Sequence, residues 1–93
     1  NMRYAEASGW AQLVNVRAAA GDNAGALEAF GRVVELDPAL LEPELVYSAA
    51  ASLERLGRRR EALALVSSGA AAYPDSRLLE DARRGLAAAP GRK

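Results

Sequence analysis

The sequence predicts an all-α chain: five helices folded as a right-handed solenoid of helical hairpins. Three observations carry that reading. Breakers divide the chain at intervals, at Gly21-Asp22-Asn23, Asp37-Pro38, Leu56-Gly57-Arg58 and Tyr73-Pro74-Asp75. The segments between them are rich in strong helix formers, with 22 alanines among 93 residues and few β-branched side chains. No segment alternates apolar and polar residues at period two, so no sheet is expected.

Each element has a local reason. The first helix is expected over residues 3–20 and is stopped by Gly21. The second spans about 24–36, with Asp22 or Asn23 as its N-cap. Its apolar stripe is Ala26, Leu27, Phe30, Val33 and Val34, at helical spacing. The third spans about 43–56, and Pro43 suits its first turn. The fourth spans about 59–73, with the stripe Ala62, Leu63, Val66, Ala70 and Tyr73. The fifth spans about 76–88, capped by Asp75 or Ser76, with Leu78, Leu79, Ala82 and Leu86 on its apolar face. Residues 1–89 form one domain, and 90–93, Pro-Gly-Arg-Lys, read as a frayed tail.

Composition narrows the chemistry. There is no cysteine and no histidine. Thiol catalysis, thiolate metal sites and the usual neutral-pH general base are therefore excluded from this chain. No catalytic residue, metal site or cofactor is expected, and the chain reads as a non-enzyme. Twelve basic and twelve acidic residues balance to zero net charge, which gives no global case for nucleic acid. No apolar run reaches the ~18 residues of a membrane span, so no membrane insertion is expected. Location stays open, with the cytoplasm favoured. The acidic pairs Glu42/Glu44, Glu54/Glu61 and Glu80/Asp81 are expected to form surface ion pairs with arginines rather than to serve acid–base catalysis. Arg58-Arg59-Arg60 reads as a solvated turn.

An internal repeat organises these elements. Gly21 and Gly57, Ala26 and Ala62, and Pro38 and Pro74 are all offset by 36. The glycines suit a left-handed turn, the alanines a close helix crossing, and the prolines a helix stop. One helical hairpin is thus used twice, over about 7–40 and 43–74, with a closing helix over about 76–88. Trp10, Leu13, Gly21, Ala26, Phe30 and Pro38 resemble the tetratricopeptide pattern W-x2-L-G-x2-Y … A-x3-F … P. Val14 and Arg17 depart from it. In the second copy Ala50, Gly57, Ala62 and Pro74 hold the expected residue type. The two residues beyond the family period of 34 fall in Ala39-Leu40-Leu41-Glu42, between the hairpins.

The resemblance implies a protein–protein interaction module with a concave groove lined by the first helix of each hairpin. It places Ser8, Ala11, Gln12 and Asn15 on that groove from the first hairpin. From the second it places Glu44, Tyr47, Ser48, Ala51 and Arg55 there, with Asp81 and Arg84 as a third contribution from the closing helix. Ser8, Gln12, Asn15, Glu44, Tyr47, Ser48 and Arg55 are the expected partner-binding residues. Trp10 falls at the family's packing position. Some members clamp the carboxylate terminus of a heat-shock protein with lysines and asparagines; Ala11 stands at one of those lysine positions, so that ligand is not expected. The partner is a protein or peptide segment. Two other readings stay open: a homodimer built on the uncovered face of the first helix and on Leu40 and Leu41, or a docking domain attached to a larger protein.

Overall fold

The computed structural model describes residues 2–88. Five α-helices account for most of them: α1 (Met2–Ala19), α2 (Asn23–Leu36), α3 (Pro43–Arg55), α4 (Arg59–Ala72) and α5 (Arg77–Ala87). A 3₁₀ turn, Pro38–Leu40, joins α2 to α3. There is no strand among the described residues. The expected tail, 90–93, lies outside them.

The helix ends follow from caps. Asp22 is the N-cap of α2, and its carboxylate accepts from Gly25 N at 2.9 Å. Ser76 is the N-cap of α5, and its hydroxyl accepts from Leu79 N at 3.2 Å. Each satisfies a backbone donor that the first helical turn leaves open. The second and fifth helices each had two candidate caps, and these are the ones used.

The two interhelical turns are the same object. Gly21 and Gly57 have φ of 85° and 79°, the left-handed region that an L side chain resists. Gly21 N donates to Ala18 O and Asp22 N to Arg17 O, at 3.1 and 2.8 Å. Gly57 N donates to Glu54 O and Arg58 N to Leu53 O, at 2.9 and 2.8 Å. This paired bond pattern satisfies the last carbonyls of α1 and α3. Every donor and acceptor in the second turn is 36 residues on from its counterpart in the first. The far ends match as well: Asp37 N bonds Val33 O, and Tyr73 N bonds Gly69 O, both at 2.8 Å.

Packing joins each helix to the next, and α3 also packs on both α1 and α5. The molecule is elongated, 48 × 29 × 17 Å. Two buried clusters hold it. One gathers Val14, Ala26, Ala29, Phe30, Val33, Leu45 and Ala49. The other gathers Val46, Ala50, Leu53, Ala62, Val66, Leu79 and Leu86. Leu27, Leu41 and Leu65 pack against both and tie the hairpins together. Alanines at 26, 29, 49 and 62 are fully buried, so close backbone approach replaces side-chain bulk.

Two expectations need correction. Val34 and Leu78, assigned to apolar stripes, are 40% and 37% exposed and sit at the stripe edges. Leu40 and Leu41, expected to add apolar surface, are half-buried: both pack on the core and each also lines a surface depression. The 3₁₀ turn causes this: Leu40 N bonds Asp37 O and Leu41 N bonds Pro38 O, which folds the linker back onto the clusters.

Candidate functional site

The face that α1, α3 and α5 share carries three surface depressions of mixed polarity, and a larger one, of about 460 Å³, lies off it where Pro43 and Glu44 meet Tyr73, Pro74, Asp75 and Ser76. α1 and α3 run in the same direction along it, and a furrow lies between them. At one end Ser8, Gln12 and Asn15 of α1 meet Glu42, Glu44 and Leu40 around a depression of about 270 Å³. At the other end Asn15, Ala18 and Ala19 of α1 meet Tyr47, Ser48, Ala51 and Arg55 of α3 around one of about 240 Å³. Asn15 belongs to both, so the two depressions adjoin there.

All seven residues expected to contact a partner thus line this furrow. Helical geometry explains the grouping on α3. Glu44, Ser48, Ala51 and Arg55 are spaced i, i+4, i+7 and i+11, a single stripe. Tyr47 stands on the α5 side of that stripe, 43% exposed, and also lines a third depression, between α3 and α5. Ser48 stands on the α1 side. Its hydroxyl donates to Asn15 Oδ1 at 3.0 Å, a bond between two helices 33 residues apart. The Asn15 amide is held by that bond, which leaves its NH2 group as a donor toward the furrow.

The closing helix contributes differently from expectation. Ala82, Gly85 and Leu86 line the third depression, of about 250 Å³, together with Tyr47, Ala50, Ala51 and Glu54. Asp81 and Arg84 do not line it. Arg84 instead turns to Glu80, with Nε 3.0 Å from Oε2. The small residues Ala82 and Gly85 beside Leu86 were the available signal for this face, since no breaker anchors the register of α5.

The charged side chains divide into paired and unpaired. Arg83 and Arg84 both donate to Glu80, and the Arg83 hydrogen bonds, foremost among several causes, hold that carboxyl down at about 2 against partial desolvation. Arg58 bonds Glu61 at 2.7 and 2.9 Å, which lowers the Glu61 carboxyl and raises the Arg58 guanidinium. Carboxylates held anionic in this way are poor proton donors near neutral pH. Arg59 reaches Glu54 at 2.9 Å and the Gly85 carbonyl at 3.0 Å, so it ties α4 to both α3 and α5. By contrast, and against the expectation of ion pairs at Glu42/Glu44, the side chains of Glu42, Glu44 and Arg55, all on the furrow, have no ion-pair or hydrogen-bond partner among the described residues, because no arginine lies within reach of the Glu42/Glu44 end of α3. Trp10 is half-buried on the first cluster, with the Arg32 guanidinium 5.7 Å from its ring centroid. That is a packing position.

No helix among the described residues is long and apolar enough to cross a membrane. No family model, no curated protein and no solved structure matches the chain.

Proposed function

We propose that this chain is a pair of tetratricopeptide-like hairpins with a closing helix, and that it works as a non-catalytic protein-interaction module. The hydrogen bonds repeated at an offset of 36, and the packing of α3 on both α1 and α5, support the solenoid reading. The observation that carries the function is the furrow. Seven residues assigned to it from the resemblance line two adjoining depressions between α1 and α3, helices whose mutual position the Ser48–Asn15 bond helps to fix.

The mechanism is capture of a partner segment by a surface that already has its bound shape. Small residues at Ala11, Ala18 and Ala51 let a main chain approach the helices. The Asn15 and Gln12 amides offer hydrogen bonds to it. Tyr47 supplies a large amphipathic contact of the kind that concentrates binding energy. A groove formed before binding loses little ordering entropy on association.

A selection of displayed random 12-residue peptides against the intact chain tests this. Enriched peptides are then measured by fluorescence anisotropy on Tyr47→Ala, Asn15→Ala and, as a remote control, Arg60→Ala. Binding is expected to weaken about tenfold or more with Tyr47→Ala and several-fold with Asn15→Ala, and to be unchanged with Arg60→Ala. The reading fails if no peptide is enriched, or if the two furrow variants bind as well as the parent.

A further inference from the structure

The furrow is electrically polarised along its length, and this limits what it can hold. Glu42 and Glu44 stand at the end where α3 begins. Arg55 stands at the end where α3 stops. Glu44 and Arg55 are eleven residues apart on one helix, so they are separated by about 16 Å along the axis and by only about 20° around it. Both stand on the same stripe of α3, Glu44 beside one depression of the furrow and Arg55 beside the adjoining one. None of the three is neutralised within the described part of the chain, whereas Glu54, Glu61 and Glu80 each have an arginine in contact. Between the charged ends the lining is small or uncharged: Tyr47, Ser48, Ala51, Asn15 and Ala18.

We infer that the furrow takes an extended peptide segment of opposite polarity: a basic side chain at the Glu42/Glu44 end and a carboxylate at the Arg55 end. This rests on the peptide-binding reading above and sharpens it. An extended chain advances about 3.3 Å per residue, so 16 Å corresponds to about five residues between the two charges. The intervening side chains alternate, one set facing the small-residue floor and the other facing water. Asn15 lies midway and meets the main chain. Complementary charge at both ends sets direction as well as affinity, because a reversed peptide would put like charges together at each end.

The test uses the same displayed random library on two forms of the intact chain. One is the parent. The other carries Glu42→Lys, Glu44→Lys and Arg55→Glu together, with its helicity and melting checked first. The parent is expected to enrich peptides with one basic and one acidic residue about five positions apart, in a single order. The swapped form is expected to enrich the reverse order. If the swapped form does not fold, the milder variants Glu44→Gln and Arg55→Gln replace it. Each should weaken a parent-selected peptide about two- to fivefold, and added salt should shrink that difference. Amidated and free-acid versions of each peptide tell a side-chain carboxylate from a terminal one.

Peptides that bind without the charge spacing, or in the same order on both forms, would overturn this inference and leave the groove reading standing. An empty selection on the parent would overturn both.

Discussion

Gly69 lies buried where α4 crosses α3 and α5. A Cβ built there meets Leu79 Cδ1 and Val46 Cγ1, each at 3.0 Å. Leu79 is fully buried and Val46 is β-branched and 3% exposed, so neither can easily withdraw. Gly69→Ala gains up to about 1 kcal/mol of helix propensity but overpacks a tight crossing, which costs about 1–3 kcal/mol. A net loss of about 1 kcal/mol is expected. Gly31 is the counter-case: it lies exposed in α2, and a Cβ there meets nothing within 4 Å. Gly31→Ala should therefore gain up to about 1 kcal/mol. Urea midpoints of the two variants should move in opposite directions, and a stabilised Gly69→Ala would show that the crossing is looser than these distances. The pair also marks what sequence can tell at this scale. The turn glycines at 21 and 57 were legible, because each falls where a helix must stop. Gly69 was not, since nothing local separates a crossing glycine from a solvent-facing one. Ser52 makes the same point: polarity suggests water, yet it is fully buried on α3.

At the scale of an element, α5 shows how a short helix is secured. It has only 11 residues, marginal by itself in water. Leu79 and Leu86 anchor one face, and Ser76 caps the start. Glu80 in its first turn has the favourable dipole sign and gathers Arg83 and Arg84. The Glu80 carboxyl is pulled from its ordinary 4.5 down to about 2. A depressed carboxyl contributes stability that is present above its unfolded value and lost as pH falls through its folded value. The melting temperature of the parent should therefore exceed that of Glu80→Gln at pH 7. The gap should narrow between about pH 4.5 and 2, close below that, and shrink with added salt. A gap unchanged down to pH 2 would mean that the arginine contacts contribute nothing. Element boundaries were largely legible for all five helices, because each ends at a glycine, a proline or a cap. The 3₁₀ turn was not, since Leu40 and Leu41 look like linker residues until the core that receives them exists.

At the scale of the whole molecule the two ends differ. The outer ridge of α5 carries Arg77, Asp81 and Arg84, a surface suited to water. The outer ridge of α1 carries Met2, Ala5, Gly9, Gln12 and Val16, all exposed and uncharged, with Met2 at 87% and Val16 at 62%. That asymmetry is the physical case for self-association, and area decides its strength. An 18-residue helix is about 27 Å long, and one ridge about 10 Å wide gives about 270 Å² per partner. A two-fold pairing would bury about 540 Å², well below the roughly 1,200 Å² of stable specific interfaces. Leu40 and Leu41 enlarge the patch little, because each is half-buried on the core. Light scattering should therefore give the 9.8 kDa monomer through tens of micromolar. Weak association should appear only near millimolar, and Val16→Lys should remove it without lowering helicity. A dimer already stable at micromolar concentration would need more surface than this ridge has. The furrow is the adjoining surface that could supply it, since Gln12 borders both. Ser8, Asn15 and Tyr47 would then be buried between two copies, and the peptide-capture reading would give way to self-assembly.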